Sequence, residues 1–165
     1  MARQKNAKRK HFVAPFKSAG EKPEELAWLP LANYIETIED DSDENTDSAG
    51  YYDGDGSEES VFNGRSEIWN FSGNYNPDDP AQKLIASLKR AQTDDERRIW
   101  HKIEETDGSI VTGVAKALEI KAGGGDATDY EAFEGHLDYV KTPEITPPKK
   151  ETPVKEETTD GKGAV

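Results

Sequence analysis

The hardest constraint in this sequence is a pair of strand-period runs joined by Thr106-Asp107-Gly108-Ser109. In the first, "RRIWHKIEE", Ile99 and Ile103 alternate with Trp100 and Lys102. Asp-Gly between two such runs predicts a β-hairpin, because glycine supplies the positive φ that a tight turn needs. The second run, "IVTGVAKALEI", sets Ile110, Val114, Leu118 and Ile120 on one side and the smaller Val111, Gly113, Ala115 and Ala117 on the other. Its "VAKALEIKA" portion holds good helix formers but is read as strand. A "GGGD" turn follows, and "YEAFEGHLDYV" then puts Phe133, Leu137 and Tyr139 on one face. These runs predict a three-stranded antiparallel meander.

One helix precedes it. In "PDDPAQKLIASLKRAQ", Asp79 is placed to cap, Pro80 takes the first helical position and Gln82 stands three residues after the cap. Leu84, Ile85 and Leu88 share a face, and Lys89 and Arg90 suit the negative C-terminal end, so a helix is expected over about 80–91. Upstream, "EIWNFSGNY" puts Trp69, Phe71 and Tyr75 on one face and Asn70, Ser72 and Asn74 on the other. Residues 31–39, "LANYIETIE", fit a strand or a short helix, with strand preferred. The fold class is α+β, mainly β, with an antiparallel sheet.

Charge divides the chain. Its 165 residues suit one domain and carry a net charge of −13. The first 20 residues hold six basic side chains and no acidic one, leaving 15 of the 21 basic side chains against all 34 acidic ones. A body this acidic repels nucleic acid, whereas the basic stretch can meet nucleic acid or an acidic protein surface. Residues 1–23 are read as a basic N-terminal arm, 24–141 as the folded domain, and the proline-rich 142–165 as a flexible tail. The lack of cysteine excludes disulfides and thiolate metal sites. No apolar run approaches the ~18 residues of a membrane span, and no apolar stretch follows the N-terminal basic residues as in a signal peptide, so no membrane insertion is expected.

Catalysis finds no foothold. His11, His101 and His136 fall on the arm and on two separate strands, where a lone histidine is ordinarily solvated or hydrogen-bonded. There is no nucleophile elbow, phosphate loop or H-E-x-x-H pair, so no catalytic, cofactor or metal residue is nominated. The stretch 40–60, "DDSDENTDSAGYYDGDGSEES", has nine carboxylates and no base. As a calcium loop it fails: from Asp41, the glycine position holds Thr46 and the glutamate position Tyr52, and from Asp53 the glycine position holds Glu58. What remains is a solvated acidic loop or an interface loop. Long open loops in small domains are functional or disordered, and Tyr51-Tyr52 offers aromatic contact area.

The stretches "MARQKNAKRKHFVAP", "WLPLANYIETI", "NFSGNYNPDDPAQKLIASLKRAQTDDERRIWHKIEETDGSIVTGVAKALEIKAGGGDA" and "FEGHLDYVKTPEI" resemble the major tail proteins of siphophages infecting lactococci and related Gram-positive bacteria. The resemblance spans roughly residues 1–146 and rests on the order and character of segments. It implies an antiparallel β-sandwich or half-barrel flanked by one helix, with no enzymatic activity. It also implies homo-hexameric rings stacked into a tube, with tape measure, tail terminator and distal tail or baseplate proteins at the ends. DNA would pass through the lumen without specific binding, and the protein would reside in the virion after assembly in the host cytoplasm. About 24 strands in such a ring, spaced ~4.8 Å apart and tilted about 40°, give a backbone diameter of roughly 45–50 Å, wide enough for a duplex.

Opposite charge on two segments of one chain suits head-to-tail self-association. The expected interface therefore pairs Asp40, Asp41, Asp43, Glu44, Asp47, Asp53, Asp55, Glu58 and Glu59, with Tyr51 and Tyr52 as packing anchors, against Lys5, Lys8, Arg9 and Lys10 of a neighbour. Two other readings stand beside it: a terminator or baseplate-hub subunit that forms single rings, and a small β-barrel that grips single-stranded nucleic acid. The last needs aromatics interleaved with lysines, whereas Trp69, Phe71 and Tyr75 alternate with asparagines.

Overall fold

The computed structural model describes residues 2–18 and 20–149. Its elements are β1 (Lys10–Pro15), β2 (Leu29–Pro30), β3 (Ile35–Asp40), β4 (Asp43–Ala49), β5 (Glu59–Ser66), β6 (Ile68–Asn74), α1 (Pro80–Ser87), β7 (Arg98–Glu104), β8 (Ile110–Ala122), β9 (Ala132–Tyr139) and β10 (Glu144–Thr146). Seven strands run in the order β2-β1-β7-β8-β9-β6-β3, and β10 joins as an eighth beside β8. All pairings are antiparallel. β4 and β5 form a separate two-stranded hairpin. The meander expected after the helix is β7-β8-β9, and its first turn is made where Asp-Gly stands: Gly108 has φ 91° and Asp107 accepts the Ser109 N–H at 2.8 Å.

The sheet curls into a half-barrel. β1 and β6 stand near opposite ends of the strand order, yet the rings of His11 and Trp69 meet edge-on with centroids 5.1 Å apart. One core cluster joins α1 to the concave face through Ala81, Ile85, Val13, Ile99, Ala115, Ala117, Phe133 and Leu137. A second, smaller one holds Trp69, Ile103 and Val111.

In β8 the small side faces in: Val111, Ala115 and Ala117 are buried, while Ile110, Val114 and Leu118 are only half-buried. The helix lies against this face, and small side chains let it approach. Ile120 does not share a side with Leu118 as the alternation predicts. An irregularity between Leu118 and Lys121, with Glu119 at φ 49°, switches the phase and turns Ile120 inward.

The segment boundaries expected at both ends change. The basic arm over 1–23 contains a core strand: β1 pairs with β7 along its length, and His11, Val13 and Ala14 are buried. Its alternation is hidden in the sequence by the lysines and arginines that precede it. At the other end, Glu144–Thr146 occupies the β8 edge that β9 leaves free, opposite Ile110, Val111 and Thr112, so this part of 142–165 is held as strand. Residues 150–165 lie outside the described residues.

The helix is shorter than the expected 80–91. Its α-helical hydrogen bonding stops at Ser87, and Leu88 N–H and Lys89 N–H reach back only three residues, to Ile85 and Ala86. Asp79 caps as predicted, accepting the Gln82 N–H at 3.2 Å. The Gln82 side chain does not return to the cap. Fully buried, it donates to the Asn33 carbonyl at 2.7 Å and the Asn74 carbonyl at 3.2 Å, and accepts the Asn76 N–H at 2.7 Å. It thereby ties the helix to the end of β6 and the approach to β3. Gln82→Leu removes the side-chain partner of all three part-buried groups, so it is expected to lower unfolding free energy by about 2–4 kcal/mol, read from urea denaturation.

Candidate functional site

The stretch expected as an open acidic loop over 40–60 is in part strand: it holds all of β4, the end of β3 and the start of β5. Asp43, Glu44 and Asp47 lie on β4; Tyr51, Tyr52, Asp53 and Asp55 form the tip; Glu58 leads into β5, which Glu59 begins. Asp40 ends β3, and Asp41 hinges the hairpin to the barrel through its N–H bond to the Ile68 carbonyl at 2.9 Å. β5 supplies the partner strand from residues beyond the acidic stretch, with Glu44 opposite Arg65 and Thr46 opposite Phe62.

The hairpin has no apolar face. Val61 pairs with Asp47 and points to the side opposite its neighbour Phe62, which is 62 % exposed. Neither side can be buried against its own barrel, and β4 and β5 belong to neither core cluster. A lone two-stranded hairpin is marginal in water. Phe62 lies just beyond the carboxylate stretch and is not among the residues expected at the interface; its place in the strand-period run "ESVFNGRS" is the signal that marks it.

Seven carboxylates of residues 43–66 face one cation, Arg65. Arg65 braces the base of the hairpin between Glu67 at 3.3 Å and Asp40 at 3.8 Å, and exposed pairs of this kind add about 0–1 kcal/mol. Asp47 accepts from Asn63 at 2.8 Å, and Asp41 from Asn70 at 3.2 Å. At the tip the Ser57 N–H, 2.9 Å from Asp55, holds that carboxyl below its ordinary range, so it stays charged. Tyr51 is 57 % exposed and Tyr52 wholly so.

Of the four basic residues expected to face the carboxylates, Arg9 is already paired within its own chain: its Nε donates to Glu105 at 2.7 Å. Lys5 flanks the short turn Asn6–Lys8, Lys8 donates to Gln4 at 2.7 Å, and Lys10 starts β1 with its side chain in solvent. Among the described residues no hydrogen bond or ion pair joins this segment to the hairpin of the same chain. The two oppositely charged surfaces are separate features of one chain.

A third feature is the open seam of the half-barrel. β3 ends the strand order with one edge unpaired among the described residues, and a groove of about 560 Å³ separates it from β1, lined by His11, Phe12, Leu31, Ile35 and Ile38 among others. Unpaired edges are surfaces that natural sheets must cover.

No family model matches the sequence, and no curated protein matches it. Solved structures do match the fold. A chain in the tail of an empty gene transfer agent particle, refined with helical C6 symmetry, superposes with a TM-score of 0.64 at 12 % identity, covering 87 % of this chain and 99 % of that one. A chain of the native gene transfer agent virion gives 0.65 at 13 % identity with the same coverage. A chain of the sheath–tube complex of the extracellular contractile injection system PVC gives 0.52 at 14 %, covering 84 % and 88 %. The curled antiparallel sheet with one helix is thus a fold shared with chains of tail and tube particles.

Because the hairpin shares no core with the barrel, a variant with 43–66 replaced by a short glycine-containing linker is expected to fold. Its thermal midpoint should fall within about 5 °C of the parent. A molten or insoluble product would show that the hairpin supports the barrel after all.

Proposed function

We propose that this chain is the repeating subunit of a phage tail tube: six copies close a ring, rings stack, and the bore conducts DNA into the host. The observation that carries the reading is the freestanding acidic hairpin. Among the described residues it shares no core with its own barrel, whose fold recurs in tail particles. Tyr51, Tyr52 and Phe62 supply the apolar anchors, and the carboxylates from Asp43 to Glu59 select a basic surface on the next ring, with Lys5, Lys8 and Lys10 the available cations. Such a contact is heterologous, and its repetition generates rings and filaments. The unpaired β3 edge is the natural site for closure within a ring.

The subunit is structural and carries out no chemistry. Its acidic excess suits a conduit, since a duplex bears one charge per ~1.7 Å and slides past carboxylates without sticking. The siphophage and Gram-positive-host assignment rests on the sequence resemblance, as do the tape measure, terminator and baseplate partners at the tube ends. The proposed location is the virion tail, with assembly in the host cytoplasm.

A second reading is supported by a weaker likeness, TM-score 0.50 at 16 % identity, to a chain of the anti-feeding prophage cap that terminates a tube. A terminal component of that kind forms single rings. Negative-stain microscopy of concentrated wild-type protein separates the two: long tubes are expected, isolated rings favour the cap reading, and persistent monomers refute both. Y51A/Y52A/F62A is expected to keep the subunit's melting temperature and lose tube formation. Tubes of normal length from this triple variant would remove the anchor role.

A further inference from the structure

The barrel seam holds a feature that tube formation does not require. His11 on β1 and His101 on β7 are buried, 5 % and 1 % exposed, with nearly parallel rings. His11 Nδ1 and His101 Nε2 are 3.1 Å apart, and His101 Nδ1 is 2.8 Å from the Tyr139 hydroxyl on β9. Tyr139 reaches His101 across Gly113, where a Cβ would meet its ring at 3.2 Å. The edge contact of Trp69 with His11 then links this chain to β6, on the other side of the seam. Three strands meet through one hydrogen-bonded line of polar groups, and a fourth joins it by an aromatic contact.

We propose that the His11–His101–Tyr139 line is a proton-operated latch: proton uptake by the imidazole pair releases β1 from β7 and Trp69, opening the seam and freeing the N-terminal segment.

With both rings neutral, one N–H···N bond joins them and the tyrosine completes the line. A first proton on His101 can still be hydrogen-bonded on both sides, by His11 Nδ1 and the Tyr139 oxygen, but it puts a charge in a dry site. A second turns N–H against N–H at 3.1 Å, and the pair must part. The charged groups nearby do not reverse this. Arg9 opposes protonation of His11; Glu67 and Glu105 act on Tyr139 and favour positive charge, but Glu105 is paired with Arg9, and Glu67 accepts the Trp69 indole N–H at 3.0 Å. On β7, Lys102 points to the outer face, between Phe12 and Trp28. β1 is the strand that can leave, since beyond it the sheet has only the two residues of β2.

The sign follows from which state binds protons. Burial lowers His11 from 6.5 to about 4, and lowers His101 well below 6.5, with His11 adding to the effect. In the opened state both rings are solvated. Between the two ranges the open form binds more protons, so opening becomes easier as pH falls below 6.5 and is suppressed above it. From about pH 7.5 to about pH 5.5 each solvated histidine contributes roughly tenfold, or about 100-fold for the pair.

The test is hydrogen exchange of the full chain, resolved by segment and corrected for intrinsic pH dependence. Expected is about 100-fold faster exchange of residues 10–15 and of their β7 partners at the lower pH, with the 132–139 amides unchanged. H11F, which keeps a ring against Trp69, should reduce the acceleration to about tenfold. Should H11F fail to fold, H11Q takes its place with the same expectation. Acid-independent protection of residues 10–15 in wild type, or acceleration of 132–139 in parallel, overturns the latch. So does a variant that keeps the full acceleration. The experiment uses the unassembled subunit, so its outcome is independent of whether the chain forms tubes.

Discussion

A sheet of eight strands must bury one face, and among the described residues one eight-residue α-helix, about 12 Å long, is there to cover it. The sheet therefore covers itself. Where the helix reaches, Ile85 and Ala81 pack against Val13, Ile99, Ala115 and Ala117. Where it does not, the sheet curls until β1 approaches β6, and Trp69, Ile103 and Val111 form a second cluster at the closure. The two clusters are two answers to one shortage of cover.

The same shortage explains what sits at the closure. Side chains brought together there come from both ends of the strand order, so they share no local pattern. A polar line of His11, His101 and Tyr139 is tolerated because each member hydrogen-bonds the next. The cost falls on the charged forms, since burial lowers the pKa of both imidazoles. The opposite case is the β4–β5 hairpin. With Val61 and Phe62 on opposite sides and carboxylates on both strands, it cannot share in either cluster. Its exposure follows from its sequence pattern.

Much of this was legible beforehand. The Asp107-Gly108 turn, the β7-β8-β9 meander and the Asp79 cap are local features, fixed by φ preferences and hydrogen bonds within a few residues. The carboxylate stretch was legible as charge but not as strand, because its partner Glu59–Ser66 lies mostly outside it and the pairing includes an irregularity between Asn45 and Thr46. β1 was hidden by the basic residues before it. In the candidate interface, Tyr51 and Tyr52 were found as exposed tip residues, Phe62 was not, and Arg9 proved to be occupied by Glu105.

By itself the sequence determined the β7-β8-β9 strands, the start of the helix, the turn at Asp107-Gly108, and that the molecule carries a strong negative charge divided from a basic N-terminal segment. These depend on period, turn chemistry and composition, which act over short stretches of chain. The tertiary structure alone decided that the small side of β8 faces inward, that Glu119 reverses the phase before Ile120, and that two histidines 90 residues apart touch. Those outcomes come from the curvature of the sheet, and curvature is set by how much of one face the whole chain can cover.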